Sequence, residues 1–291
     1  MSVTASEIAS QPAVWLEAAG RAGELAVAAA GGRIAVIGCG TSYYVAMSIA
    51  ALRESLGVGE TDAFVASEAP LQRPYDHVIA ISRSGTTTEV GRALRGCREG
   101  VPRTLVTAVA GSPLARDAEH VVVLGVADEA SVVQTRFATA VVVLVRAALG
   151  EDVGPAARDA ELALAADLPV APGEHDHYVF LGSGWTVGLA FEAALKTREM
   201  AQAWSEAYVA MEYRHGPISV AGDHSAVWML GEPPAGLVSD VARTGATVVH
   251  GMLDPLAQVV QAQRVALALA EMRGLDPDRP RNLTRSVVLE Q

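Results

Sequence analysis

The sequence predicts an α/β protein made of two related domains, each a parallel sheet with helices on both faces. Three observations carry that prediction. Short apolar runs alternate with helical stretches along most of the 291 residues. The runs are apolar throughout, as in strands buried on both faces, and do not alternate as half-exposed strands do. Finally, YVFLGSGWTVGLA at 178–190 repeats IAVIGCGTSYYVA at 34–46: an apolar strand, Gly-x-Gly, a nearby hydroxyl, then a helix. A repeat this long is a duplicated domain, not a solenoid unit.

The elements follow in order. Residues 4–30 read as a leading helical segment punctuated by Gln11-Pro12. An apolar run at 33–37 ends at Gly38-Cys39-Gly40-Thr41-Ser42, and a helix follows, closed by Gly57. Strands are predicted at 62–66, 77–81, 104–109 and 120–124. The 77–81 strand ends in Ser82-Arg83-Ser84-Gly85-Thr86-Thr87-Thr88-Glu89 before another helix. A long apolar helix is predicted over 131–149. A helix and a Pro/Gly-rich turn over 150–177 mark the domain boundary. The second half restarts with a strand from 178 and a helix carrying Glu192, Lys196 and Glu199. A short link delivers Glu206, Tyr208, Glu212 and His215-Gly216-Pro217. Strands at 225–230 and 247–249 and a helix over 256–273 complete it. The predicted organisation is a leading segment 1–30, domains at 31–160 and 161–277, and a tail at 278–291.

Composition bounds the function. Half of the residues are hydrophobic (51%) and 19% are charged, enough for two cores. The net charge of −11, with no Lys/Arg run, argues against a nucleic-acid surface. Cys39 and Cys97 form neither a disulfide framework nor a metal-ligand spacing, which fits a reducing cytoplasm. The seven histidines include no His-x-x-x-His pair, so no metal is expected. No stretch reaches membrane-spanning length, and the first residues lack a basic-then-apolar leader, so no membrane partner is expected.

Two places could carry chemistry. Ser82–Thr88 gathers five hydroxyls and a glycine at a strand's carboxyl end and a helix start, where free N–H groups and partial positive charge suit a phosphate monoester. The alternative is a Ser/Thr-rich capping turn. Glu192, Lys196 and Glu199 fall at i, i+4 and i+7, so two carboxylates and an amine share one helix face. The alternative there is a solvated salt-bridge ladder. A Walker lysine and a nucleophile elbow are absent. A dinucleotide fingerprint is incomplete, since position 43 is tyrosine, which leaves an NAD-dependent oxidoreductase as a minor reading. No cofactor is expected.

Taken together these motifs resemble the sugar isomerase (SIS) superfamily, in particular the double-SIS isomerase half of glutamine–fructose-6-phosphate aminotransferases. The likeness runs through Glu7-Ile8, Gln11-Pro12, Cys39-Gly40-Thr41-Ser42-Tyr43, Ala66-Ser67-Glu68 and Ser82-x-Ser84-Gly85-x-Thr87. It continues through Glu192-x-Ala194-Leu195-Lys196-x-x-Glu199, Glu206-Ala207-Tyr208, His215-Gly216-Pro217 and Pro280-Arg281-Asn282-Leu283. The resemblance implies two tandem SIS domains, each a flavodoxin-like three-layer sandwich. It implies that Thr41, Ser42, Ser82, Arg83, Ser84 and Thr87 hold a sugar 6-phosphate, and that Cys39, Gly40, Val133, Gln134 and Arg285 line the pocket. It implies Glu199 as the base moving a proton between C1 and C2, with Lys196 and Glu192 beside it. It implies a homodimer with shared active sites, in which His215 from the partner assists ring opening, and a tail lying over the site. The expected function is aldose–ketose isomerisation of a hexose or hexosamine 6-phosphate, with or without amine release. A non-catalytic phosphosugar-binding protein is the alternative.

Three departures from the family pattern matter. The amidotransferase domain with its cysteine nucleophile is expected to be missing, so glutamine is not the expected nitrogen source. The family's imine-forming lysine falls on Arg285, whose guanidinium stays protonated and cannot form an imine. The family's Val-Ala-Ser-Thr-Lys loop reads Val132-Val133-Gln134-Thr135-Arg136, so the substrate pocket is expected to differ.

Overall fold

The computed structural model describes residues 2–289. Met1 of the predicted leading segment and the last two positions of the predicted tail, 290 and 291, lie outside the described residues.

The chain opens with α1 (Val3–Ala9) and α2 (Gln11–Ala19), then a 3₁₀ segment at Ala22–Ala29. The first sheet comprises β1 (Ile34–Gly38), β2 (Thr61–Val65), β3 (His77–Ile81), β4 (Arg103–Thr107) and β5 (His120–Val123). All neighbours are parallel, in the order β2-β1-β3-β4-β5. Its helices are α3 (Thr41–Ser55), α4 (Thr88–Arg95) and α5 (Arg136–Ala148), the last buried continuously from Phe137 to Arg146. After α6 (Gly154–Ala165) comes a second parallel sheet of β6 (His177–Gly182), β7 (Trp204–Val209), β8 (Ser225–Leu230) and β9 (Thr247–Val249), in the order β7-β6-β8-β9. Its helices are α7 (Thr186–Ala201), α8 (Leu237–Ala242) and α9 (Pro255–Met272). The α/β class and the two helix-flanked parallel sheets therefore stand as predicted.

The chain resolves into two compact units. One holds the first sheet: residues 13–130, 136–153 and the tail from 284. The other holds the second sheet: residues 1–12, 131–135 and 154–283. These bounds cut across the ranges read from the sequence. The leading segment is divided at Pro12, α6 groups with the second sheet, and the tail groups with the first.

Each unit has its own core. In the first, Ala35, Ile37, Val78, Ala80 and Leu105 pack with Val90 and Leu94 of α4. In the second, Val179, Leu181, Val227 and Met229 pack with Tyr213, Leu237 and Val241. Both lead strands end on a glycine for the same reason. A Cβ on Gly38 would lie 2.5 Å from the Ser42 backbone, and one on Gly182 would lie 2.3 Å from that of Thr186. Only glycine lets the following helix fold back this closely.

Two predicted elements differ. The helix predicted over 131–149 starts at Arg136, because the preceding backbone has non-helical partners within the second-sheet unit. Glu7, 3% exposed, accepts from the Ser131 N–H at 3.3 Å and from the Ser131 hydroxyl, and the Val132 N–H donates to the Asp278 carbonyl at 3.2 Å. The predicted link after α7 contains a strand, β7, which pairs with β6 over six residues. It is an edge strand with a mixed polar sequence, and only its non-local pairing makes it a strand.

Candidate active site

Strands β1 and β3 are neighbours, while β2 leaves β1 on the other side, so the chain reverses direction between β1 and β3. That is where a doubly wound sheet opens a crevice at its carboxyl edge. The loops leaving these two strands carry the predicted phosphate residues. Thr41 and Ser42 start α3 and are each 4% exposed. Ser82 and Ser84 sit in the β3–α4 loop at 3% and 8% exposure.

The loop is ordered by its own hydroxyls. The Ser82 and Thr87 hydroxyls are 3.3 Å apart, and the Thr86 N–H and hydroxyl both donate to Ser84 Oγ, at 3.2 and 2.9 Å. Gly85 has φ 62°, and a Cβ there would meet Ser112 Oγ at 2.1 Å, so the turn requires glycine on both counts. The Arg83 carbonyl accepts from Thr107 Oγ1 and from the Ala108 N–H, each at 3.0 Å, which ties the loop to the end of β4.

Arg83, predicted among the phosphate ligands, has its guanidinium paired with Glu129 at 3.4 Å, with the two side chains 1% and 0% exposed. Burial pushes the Arg83 pKa down, and the Glu129 carboxylate opposes that. Arg83 also donates to the Arg285 carbonyl at 3.2 Å. Arg285 donates in turn to the Glu129 carbonyl and to Asp128 Oδ1. The tail beyond it lies on the same loop. Thr86 and Ser286 hydroxyls are 2.8 Å apart, the Thr88 N–H donates to the Val287 carbonyl at 3.2 Å, and the Leu289 N–H donates to Thr88 Oγ1 at 2.9 Å. Asp128 and Glu129 were not singled out in the sequence. Two acids in a loop carry no local signal of an arginine partner 46 residues away.

In the second-sheet unit, α7 carries the other candidate group. Lys196, the single lysine of the chain, lies 2.5 Å from Glu199 and 3.5 Å from Glu192. The Lys196 and Glu192 side chains are 1% and 2% exposed, and Glu199 is 18% exposed. A solvated ladder is therefore excluded. This is a buried ion cluster with one carboxylate at its accessible edge, a costly arrangement unless all its members are paired. The helix face turns inward because α7 packs on α9 and on its own sheet.

His215 lies on an exposed 3₁₀ turn (Glu212–His215) after β7, and among the described residues it carries no hydrogen bond or ion pair. Glu206 faces His177 at 3.1 Å, and the other nitrogen of that ring is 2.9 Å from Ser225 Oγ. This set, with Glu206 at its half-buried edge, ties β6, β7 and β8 together. Tyr213, fully buried, has its phenol pushed up to about 12 by burial and by Glu206. Val133 is buried and Gln134 half-buried in the 131–135 loop. Cys39 sits beside the crevice, its thiol pushed up to about 11 by burial and by Glu89, which makes it a poor nucleophile. Among the described residues no cluster of His, Cys, Asp or Glu could hold a metal, and no helix is long and apolar enough to cross a membrane.

Residues 28–149, from before β1 to the end of α5, match the SIS domain family. The glutamine–fructose-6-phosphate aminotransferase of Symbiobacterium thermophilum is 30% identical over 315 aligned positions, covering 89% of this chain and 52% of the relative. The chain spans about half the length of the curated relatives it matches. Among solved structures, glucosamine-6-phosphate deaminase from Thermotoga maritima superposes with a TM-score of 0.83 at 27% identity, over 99% of this chain and 100% of that one. Tagatose-6-phosphate ketose/aldose isomerase from Escherichia coli shares the fold, with a TM-score of 0.81 at 18% identity over 100% and 96% of the two chains. Residues 28–149 thus carry a SIS domain, and the chain is homologous to about half the length of the aminotransferases.

Proposed function

We propose that this SIS-domain chain isomerises a hexosamine 6-phosphate between its aldose and ketose forms and releases the amine in doing so. The observation that carries the proposal is the buried Glu192–Lys196–Glu199 cluster with Glu199 at its accessible edge. Enolisation beside a carbonyl needs one such carboxylate within reach of the substrate. The phosphate role goes to Ser82, Ser84, Thr87, Thr41 and Ser42, and proton transfer goes to Glu199. Glu199 takes the C2 proton of the open-chain 2-amino aldehyde and returns a proton to C1. The product is a 2-imino sugar, which water hydrolyses to the 2-keto sugar and ammonia. Lys196 holds the carboxylate in place. Residue 285 contributes no imine, since arginine cannot form one. His215, exposed on its turn, assists ring opening in the site of a second copy of the chain.

Full-length similarity to a glucosamine-6-phosphate deaminase supports amine release over simple isomerisation. The test is incubation with glucosamine 6-phosphate, with assay of ketose phosphate and ammonia. Equal amounts of both are expected. Interconversion of fructose or tagatose 6-phosphate with its aldose, and no ammonia from the amino sugar, would reduce the reading to an isomerase. One observation favours a second reading. Arg285 occupies the family's lysine position and is engaged with Asp128 and Glu129, as suits a protein that binds phosphosugars without turnover. Binding without product would establish that reading.

A further inference from the structure

Beside the phosphate loop, still within the first-sheet unit, a cavity of about 290 Å³ opens between α4 and the turn after β2. It has room for about ten water-sized groups. Its wall is formed by the methyl groups of Ala66, Ala69 and Ala93 together with Leu71. Its polar groups are Ser67, Glu89 and Arg92. None of the roles assigned above uses Glu89 or Arg92.

Glu89 is half-buried and Arg92 is exposed. Oε2 of Glu89 is buried and has no hydrogen-bond donor. Glu89 and Arg92 stand three residues apart on α4, yet no ion pair joins them to each other or to another described residue. Favourable placement along the helix dipole accounts for an acid in the first turn and a base in the last. It does not account for a buried carboxylate oxygen without a protein donor, which is a costly state unless water or a ligand supplies one. The charge of Glu89 is felt on the other side as well, where it helps to raise the Cys39 thiol.

We propose that this cavity is a binding site for a small zwitterion of the amino-acid type. The ligand's ammonium lies on Glu89, its carboxylate on Arg92, and its short apolar body against the alanine methyls. The site goes beyond the proposed sugar-phosphate chemistry and does not depend on it.

The test is calorimetric or saturation-transfer binding to the full chain. The zwitterions L-valine and 4-aminobutyrate are compared with the single-charge probes isobutylamine and isobutyrate. At least one zwitterion should bind at millimolar concentration, with each single-charge probe about tenfold weaker or worse. Glu89→Gln and Arg92→Gln should each weaken the zwitterion by about tenfold or more, since each removes one charged hydrogen bond. Ala69→Leu, which fills the cavity and keeps both charges, should abolish binding; melting curves confirm that each variant is folded. The proposal is overturned if neither zwitterion binds, if isobutylamine binds as tightly as the zwitterions, or if binding survives the Glu89 and Arg92 substitutions.

Discussion

The two sheets share a topology but use it differently. Strands β2-β1-β3-β4 of the first correspond in order and direction to β7-β6-β8-β9 of the second. The Gly-x-Gly turns after β1 and β6 also match: Gly40 has φ 53° and Gly184 φ 55°. After β3 the first sheet continues into the hydroxyl loop Ser82–Thr88, whereas after β8 the second continues into Gly231-Glu232-Pro233-Pro234. Two prolines remove two N–H donors and no hydroxyl replaces them, so that edge cannot cradle a phosphate. The reverse holds for the helix after the lead strand. On α7, Glu192 and Lys196 are buried as charges; α3 buries Ser48, Leu52 and Arg53 instead, and that arginine donates to Thr61 Oγ1 and to the Ala28 and Ala30 carbonyls. One copy gathers hydroxyls in its loop and the other buries charges on its helix.

If that division is real, each half should fail in its own way. The largest effect is expected at α7. Glu199→Gln should lower kcat by about 10²–10⁴ while leaving sugar-phosphate affinity close to wild type. A parallel fall in affinity would mean that α7 holds the substrate. If His215 serves the partner's site, mixing inactive Glu199→Gln and His215→Ala chains should restore part of the activity after subunit exchange. No recovery would place both groups in one subunit.

Next comes the support of the loop. Glu129→Ala strands a buried guanidinium, and loss of about 3–5 kcal/mol of stability is expected in denaturant unfolding. Replacing Arg83 and Glu129 together by Met and Leu should recover most of it. Recovery of phosphate binding as well would show that the pair only supports the loop. No recovery of binding would give Arg83 a direct role.

A smaller effect is expected at the loop surface. Ser84→Ala with Thr87→Ala removes two donors to a charged acceptor, each contributing about 1.5–3 kcal/mol to affinity. Sugar-phosphate binding should weaken with little change in melting temperature. Unchanged affinity would reduce the loop to a helix cap, and the two sheet edges would then be equivalent.

The smallest effect belongs to the far end of the first sheet. Arg103 bonds to Glu119 and holds its pKa down to about 2, against 4.5 for a free glutamate. The stabilisation from this pair is complete above the unfolded value and is lost as pH falls through 4.5 toward 2. Because the pair is exposed the change is modest. An acid titration of Glu119→Gln should lack that part of the wild-type slope.

The sequence by itself determined every strand but β7, the glycine turns, the repeat and the hydroxyl loop. Each of these rests on local chemistry: apolar runs, missing Cβ atoms, and hydroxyls at a helix start. Strands β3 and β8 coincide with the predicted runs because buried parallel strands must be apolar along their length. The spacing of Glu192, Lys196 and Glu199 was also legible, but spacing alone is the same for a wet ladder and a buried cluster. Only the packing of α7 against α9 and its own sheet decided between them. Tertiary structure likewise decided that residues 131–135 are irregular, that β7 is a strand, that Arg83 pairs with Glu129, and that the tail lies on the hydroxyl loop. In each case the partner is far along the chain, and what fixes the residue is a hydrogen bond or buried charge whose other half no local pattern announces.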